Sequence, residues 1–140
     1  NLWSLRELIT DALLALGPVL KLDVTLPTTR LARFVDALGA LVEERSPAAH
    51  LWVFGHLGDG NLHVNLTGHE ADGADEHAMT EAVLTLVAEH RGSISAEHGI
   101  GVAKREWLHL SRSADERATM RAVKDALDPD HLLNPGVLFP

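Results

Sequence analysis

The chain has 140 residues, of which 46% are hydrophobic and none is cysteine, a size that fits one domain with a largely aliphatic core. Its formal net charge of −8 and its lack of any basic run argue against nucleic acid and anionic membranes as partners. The absence of cysteine excludes disulfides, thiolate zinc sites and cysteine nucleophiles, and it is compatible with the cytoplasmic location that we expect. No apolar run approaches the roughly 18 residues of a membrane span, and the start at Asn1, without an initiator Met, indicates a piece of a longer protein.

Apolar spacing predicts alternating helices and strands along the chain. The predicted elements are, in order, a helix at residues 2–16, a strand at 19–26, a helix at 31–42 capped by Thr28 or Thr29, a buried strand at 50–55, a strand at 62–66, a helix carrying residues 79–87, a short extended stretch at 93–95, a brief helix near 104–110 and a helix at 114–127. The order strand, helix, strand, strand, helix, short strand is that of a split βαβ, or ferredoxin-like, core. We therefore expect an α+β fold, an antiparallel sheet with helices on one face and further helices at the C-terminus.

The segment 56–63, His-Leu-Gly-Asp-Gly-Asn-Leu-His, places two histidines on either side of a glycine-rich turn. His56 ends one predicted strand and His63 begins its partner, so a hairpin would bring both imidazoles to one edge of the sheet. Strand alternation puts His63 and Asn65 on the face opposite the apolar side chains. The plainer alternative is a Gly-Asp-Gly turn with two incidental surface histidines.

The turn itself is formed by Gly58, Asp59 and Gly60. Asp-Gly supports a hairpin because both residues tolerate positive φ, and the two glycines let the backbone turn tightly. The Asp59 carboxylate is then free either to accept a hydrogen bond within the turn or to orient a ligand histidine by accepting a hydrogen bond from its other ring nitrogen.

A second polar loop carries Glu97 and His98 between Ser95 and Gly99. The helix before this loop should return to the hairpin end of the sheet, and the few residues from Gly92 to Glu97 span only about 13 Å even when extended. We therefore expect Glu97 to stay near the hairpin and the stretch before it to contribute little true strand.

Two imidazoles and one carboxylate suit a divalent metal that keeps a position open for water or substrate. On ligand softness alone, Zn²⁺, Mn²⁺ and Fe²⁺ fit His56, His63 and Glu97 about equally. His98 directly follows a predicted ligand, so its ring should point elsewhere, and a histidine there is a natural general base.

A third set of polar residues lies near the N-terminus. Arg6 and Thr10 are one helical turn apart and share a face, and Lys21 lies on the polar face of the following strand. Together they could hold a carboxylate, with Arg6 making bidentate contact. The alternative is that these side chains are simply solvated.

The motifs also carry a family resemblance, which runs in order along essentially the whole chain. They are Leu5-Arg6-Glu7, Lys21-Leu22-Asp23-Val24, the segment 55–63, the segment 95–101, Leu127-Asp128-Pro129 and Leu133-Asn134-Pro135. In them the chain resembles the C-terminal substrate domain of FAD-linked oxidases of the vanillyl-alcohol-oxidase superfamily. Within that superfamily it is most similar to the D-2-hydroxy-acid dehydrogenases that act on hydroxyglutarate, lactate or glycolate.

The resemblance implies that His56, His63 and Glu97 hold zinc or manganese. The metal would chelate the carboxylate and the 2-hydroxyl group of a D-2-hydroxy acid, a small-molecule substrate. His98 would then take the hydroxyl proton while a hydride passes to FAD.

The resemblance also implies roles in substrate and flavin binding for residues outside the metal site. Arg6, Thr10 and Lys21 would grip the distal carboxylate of the substrate. Asn65 would contact substrate or flavin, and Asn134 would lie in a C-terminal tail beside the flavin.

In this family an N-terminal domain supplies most of the contacts to FAD, and the chain has no Gly-rich phosphate loop after a strand to replace it. We therefore expect the chain alone to bind FAD poorly and to turn over nothing, with its own FAD domain as partner. Apolar surface that this domain would cover favours self-association, such as a homodimer. Two rival hypotheses are a metallophosphoesterase and a non-catalytic ferredoxin-like binding module.

Overall fold

Three antiparallel strands form the centre of the fold. The computed structural model describes residues 2–69 and 73–139, and in them the strands β1 (Val19–Thr25), β2 (His50–His56) and β3 (Asn61–Thr67) pair in the order β1-β3-β2. β2 and β3 form the predicted hairpin, and β1 pairs with β3 on its other side. The long β1 to β2 connection is helical, so the fold belongs to the predicted α+β class.

Five α-helices and two 3-10 segments are described with these strands. They are α1 (Leu2–Glu7), α2 (Ile9–Leu14), the 3-10 segment Thr28–Arg30, α3 (Leu31–Arg45), α4 (Gly73–Glu89), the 3-10 segment Arg105–Leu110 and α5 (Ala114–Leu127). The helix predicted at residues 2–16 is therefore interrupted at Leu8, although Leu8 N–H still donates to Ser4 O at 3.1 Å. Neither Thr28 nor Thr29 caps α3, because the 3-10 segment precedes it and Arg30 occupies the cap position without a side-chain hydrogen bond.

The hydrophobic core lies between one face of the sheet and the helices α3 and α4. Val24 of β1 and Val64 of β3 are fully buried there, as strand alternation predicts. They pack in one cluster with Phe34 of α3 and Val83 of α4. Each such side chain removed from water contributes roughly 1.5–3 kcal/mol, so this face of the sheet anchors the fold and leaves the other face for polar residues.

The predicted fourth strand is reduced to a single bridge between Thr25 and Ser93. Thr25 N–H donates to Ser93 O at 3.0 Å, and Ser93 N–H donates to Thr25 O at 2.8 Å. This places the stretch beside β1, on the edge that a ferredoxin-like order requires. The prediction of little true strand before Glu97 is confirmed.

One predicted packing face is wrong. The strand predicted as buried at residues 50–55 is β2, which lies at the edge of the sheet, and its Trp52 is 42% exposed. The helix α5 has the predicted bounds; none of its residues is buried, and Leu127 is 78% exposed. Apolar spacing shows which residues share a face, but not whether a neighbouring element covers it.

Candidate active site

The sheet face opposite the core, called the open face below, carries polar side chains from all three strands. Cross-strand pairing aligns them in rows. One row joins Asp23, His63 and Phe54, and the row beside it joins Thr25, Asn61 and His56. The period-2 alternation that buries Val64 necessarily turns His63 to this other face, so the prediction that His63 and Asn65 lie on the face opposite the core is confirmed.

The hairpin turn depends on one glycine rather than two. Gly60 has a φ of +74°, and a Cβ at this position would lie 2.0 Å from Leu26 O, so only glycine fits. Gly58 has no positive φ and nothing within 4 Å of a built Cβ. Asp59, which also lacks a positive φ, takes the first of its two predicted roles, since its Oδ1 accepts from Asn61 N–H at 3.1 Å.

The loop after the Thr25–Ser93 bridge brings Glu97 to the hairpin, as the sequence predicts. Glu97 Oε1 accepts a 2.7 Å hydrogen bond from Asn61 Nδ2 and lies 3.4 Å from His56 Nδ1. Asp59 Oδ2, in contrast, is 3.9 Å from the same ring nitrogen, too far for a hydrogen bond. Glu97, rather than Asp59, is therefore the carboxylate next to His56.

The two hairpin imidazoles are neighbours on the open face. The ring centroids of His56 and His63 are 5.6 Å apart, with the rings nearly perpendicular. On its other side His56 meets α1, where Arg6 Nη2 lies 3.4 Å from His56 Nε2. Because guanidinium only donates, His56 Nε2 is the accepting nitrogen and its lone pair is directed at Arg6.

Asp23 contacts both the loop that carries Glu97 and His63 of β3. Its Oδ2 accepts the backbone N–H of Glu97 at 2.9 Å, and its Oδ1 lies 3.1 Å from His63 Nδ1. Among the described residues, Asp23 Oδ1 is a buried oxygen without a hydrogen-bond partner, which leaves it free to accept from a proton on that ring nitrogen. The Oδ1 atom of Asn61 is also buried and has no partner among these residues.

A cavity of about 460 Å³ opens beside these groups on the open face. Its walls include Thr10 of α2, Lys21 of β1, and His63 and Asn65 of β3. His98, which follows Glu97, reaches the same cavity. The structure therefore gathers the predicted general base, two of the three predicted anion-binding residues and Asn65 around one space large enough for a small organic acid.

Lys104 also lines this cavity, at a point that the sequence prediction did not include. Its Nζ donates to Asp23 O at 2.9 Å and to Ile94 O at 2.7 Å, tying β1 to the segment that leads to Glu97. Burial lowers the pKa of Lys104 below its ordinary value, and the nearby Asp23 carboxylate opposes that shift.

The donor atoms have the right chemistry for a divalent metal, but they are not assembled as a ligand shell. Within residues 2–69 and 73–139, no three His, Asp or Glu side chains are arranged to hold a metal ion. His56 and Glu97 are in contact, whereas the His63 ring stands nearly perpendicular to that of His56 with the centroids 5.6 Å apart. Two imidazoles and one carboxylate nevertheless form a donor set suited to zinc or manganese, and the buried oxygens of Asp23 and Asn61, which have no partner among the described residues, lie beside it.

Not every predicted site residue comes to the open face. Asn134 lies in the C-terminal tail, in a separate cavity of about 320 Å³ that Arg121 and Lys124 of α5 also line. Its predicted place beside the flavin stays a prediction.

Three residues of the site, namely Asp23, Asn61 and Lys104, are not among the site residues predicted from the sequence. Alternation with Lys21 along the strand is a signal that puts Asp23 on the open face. No local sequence pattern, in contrast, marks Lys104.

The fold and the polar open face define an α+β domain with a histidine and carboxylate site beside a cavity for a small molecule. The family described as "FAD linked oxidases, C-terminal domain" matches residues 1–138, and the chain belongs to this family.

Several relatives are similar over the whole chain. It is 39% identical to D-2-hydroxyglutarate dehydrogenase from Stutzerimonas stutzeri (strain A1501), covering 99% of this chain and 31% of that protein. It is 45% identical to the protein of the same name from Xanthomonas citri pv. viticola, covering 99% and 30%. It is also 42% identical to D-2-hydroxyglutarate dehydrogenase, mitochondrial, from Bos taurus, covering 99% and 25%. The chain thus spans about a quarter to a third of the length of these relatives.

In the part of the chain that the structure describes, no helix has both the length and the apolarity of a transmembrane segment.

Proposed function

We propose that this chain is the substrate- and metal-binding part of a flavin-dependent dehydrogenase that oxidises a D-2-hydroxy acid to the 2-oxo acid. The observation that carries the proposal is the meeting of Glu97 with His56 and Asn61, far apart in the sequence, at the edge of a cavity that His98 lines. Family membership supports the flavin, and the names of the relatives support hydroxyglutarate as substrate. D-lactate and glycolate are the alternative substrates.

His56, His63 and Glu97 would hold the metal, for which zinc and manganese both suit the donor atoms. When bound, a divalent cation lowers the pKa of an alcohol oxygen, and FAD supplies the redox chemistry as hydride acceptor. Most contacts to FAD would come from a separate N-terminal domain. The apolar side chains exposed on α1 and α5, such as Leu5 and Leu127, suit contact with that domain or with a second copy of the chain.

The other residues of the cavity bind and orient the substrate or move its proton. His98 would accept the hydroxyl proton, since a neutral imidazole is a suitable base near neutral pH. Lys21 and Thr10 would bind the distal carboxylate of a dicarboxylic substrate at the far side of the cavity. Arg6, which lies against His56 rather than in the cavity wall, would join them from α1.

Two asparagines would complete the contacts. Asn65 is 4% exposed and its Nδ2 donates to His63 O at 3.3 Å, so its side chain is fixed at the cavity wall. It would present its amide to substrate or flavin. Asn134 would contact the flavin from the C-terminal tail.

The test uses the flavin-loaded protein that carries this chain, mixed anaerobically with D-2-hydroxyglutarate while flavin absorbance is followed. We expect His98→Gln to slow flavin reduction by about 100-fold or more with the metal retained. We expect His56→Ala to lose the metal, measured by elemental analysis. The matched control is His109→Gln, because His109 is exposed on the 3-10 segment and its Nδ1 is hydrogen-bonded to Glu106 O within that same segment.

Two outcomes would contradict the proposal. Flavin reduction at the wild-type rate in His98→Gln would remove the base from the mechanism. Substrate binding without any flavin reduction in the wild type, with no metal bound, would instead favour a non-catalytic binding module.

A further inference from the structure

We propose that Asp23 is a positioning residue that sets both the ring orientation of His63 and the place of Glu97. One of its carboxylate oxygens faces His63 Nδ1 and the other holds the backbone of Glu97, so that His63 presents Nε2 to the site. This inference rests on the proposed function, in which His63 and Glu97 are metal ligands.

The sheet register brings Asp23 and His63 together. They are cross-strand partners on β1 and β3 and both point to the open face. The Asp23 side chain is only 12% exposed and that of His63 is 27% exposed. A carboxylate so deeply placed costs free energy unless donors surround it, and His63 Nδ1, at 3.1 Å, is within reach of the unpaired Oδ1.

The second oxygen of Asp23 acts on the other ligand. Glu97 N–H donates to Oδ2 at 2.9 Å, which fixes the start of the Glu97 loop against β1. Lys104 reinforces the same junction, because its Nζ bridges Asp23 O and Ile94 O. The side chain of Asp23 therefore lies between His63 of the hairpin and the backbone of Glu97.

The chemistry of the two groups decides which ring nitrogen is free. A neutral imidazole carries one N–H and one lone pair, and an ionised carboxylate can only accept. Asp23 thus favours the tautomer of His63 with the proton on Nδ1. In that tautomer the lone pair of His63 Nε2 would be free for a metal. Groups that orient a ligand histidine in this way change metal affinity by about 10–100-fold.

Asp59 provides the natural comparison. It also lies near a hairpin histidine, but its Oδ2 is 3.9 Å from His56 Nδ1 and its side chain is 68% exposed. Its Oδ1 is engaged by the turn at Asn61 N–H. We expect Asp59 to have no effect on the tautomer of His63.

The first experiment measures the tautomer directly in the metal-free chain, by nitrogen-15 NMR of histidine imidazoles under conditions where they are neutral. His63→Gln identifies the resonances of His63. We expect the proton of wild-type His63 on Nδ1, a mixture of tautomers in Asp23→Asn, and no change in Asp59→Asn. The wild-type measurement does not depend on whether Asp23→Asn folds, and a proton on Nε2 of wild-type His63 would overturn the proposal.

The second experiment measures metal affinity by competition with a chelator for zinc alone. We expect Asp23→Asn to weaken zinc binding by about 10–100-fold, with Asp59→Asn within about threefold of wild type, and circular dichroism to verify the fold of each. Equal affinity of Asp23→Asn and wild type would also overturn the proposal. If wild-type chain binds no zinc, the proposed function fails, whereas the tautomer result still decides the role of Asp23.

Discussion

Glu97 and Asn61, 36 positions apart in the sequence, are joined by a hydrogen bond of 2.7 Å from Asn61 Nδ2 to Glu97 Oε1. Asn61 is 3% exposed and sits at the first position of β3, so its amide is held by the sheet. The Glu97 side chain, in contrast, is 48% exposed and would be mobile without this donor. The rigid partner therefore fixes the flexible one beside His56.

Asn61→Leu replaces the amide with an apolar group of similar shape and removes the donor to Glu97. We expect zinc affinity, measured by chelator competition, to fall by about tenfold, the lower end of the range for groups that orient ligands. The control is Thr67→Val on the same strand, which removes a buried hydroxyl bonded to Trp52 Nε1 at 2.9 Å. A larger loss of affinity in Thr67→Val than in Asn61→Leu would show that strand packing, not the amide, sets the effect.

Gly60 and Gly58 offer a matched pair in the hairpin turn. Gly60→Ala forces an L residue into positive φ and places its Cβ against Leu26 O, so we expect a loss of at least about 2 kcal/mol in unfolding free energy. Gly58→Ala meets no atom within 4 Å and should change stability by less than about 1 kcal/mol. Urea unfolding of both variants measures the difference. Equal losses would mean that the turn relaxes around Gly60.

The sequence predicts the fold and the meeting of Glu97 with the hairpin because both follow from local rules. Alternation along β1 and β3 assigns His63 and Asn65 to the face opposite the core. The short segment from Gly92 to Glu97 limits the distance between Glu97 and the end of the preceding helix. These are consequences of strand geometry and chain length, and they hold in the structure.

Residues that depend on tertiary contact could not be predicted in the same way. Lys104 reaches Asp23 O and Ile94 O through a long side chain, a contact that no spacing encodes. The apolar spacing of α5 shows that Val123 and Leu127 share a face, and in the structure both side chains are exposed. Whether such a face is covered depends on elements outside the helix itself.

We expect the free energy of unfolding to depend on pH through Lys104, and the burial of its side chain decides whether stability rises or falls with pH. Its pKa in the folded chain is lowered from 10.5, so between that lowered value and 10.5 the unfolded chain binds more protons than the folded one. Stability due to Lys104 therefore rises with pH across this window. In Lys104→Met this dependence disappears, and two carbonyl groups lose a donor at a cost of about 1–3 kcal/mol.

The measurement is the difference in unfolding free energy between wild type and Lys104→Met, by urea unfolding at about pH 7.5 and about pH 10. Taking the difference removes the titration of groups that both proteins share. We expect the advantage of the wild type to grow at the higher pH. A difference that shrinks with pH would mean that the ammonium form is the one that the fold stabilises.

Variants of Lys21 and Arg6 test whether the cavity binds a dicarboxylic or a monocarboxylic acid. Lys21 lines the cavity with Thr10, so we expect it to act on a second carboxylate and not on the reacting carbon. Arg6 lies outside that lining, against His56, and we expect it to contribute less to the same carboxylate. In the flavin-loaded protein, Lys21→Ala should lower kcat/KM for D-2-hydroxyglutarate by about 10–150-fold, since a hydrogen bond to a charged group contributes about 1.5–3 kcal/mol.

For D-lactate, which has no distal carboxylate, the same variants should lose less than about threefold, because no charged hydrogen bond is removed. Arg6→Ala should follow the same pattern more weakly, since its guanidinium is exposed and shared with the His56 ring. Arg33→Ala on α3, an exposed arginine of the helical layer across the sheet, is the control for a change of net charge. Equal losses for both substrates would place Lys21 in general substrate binding and remove the basis for preferring a dicarboxylic acid.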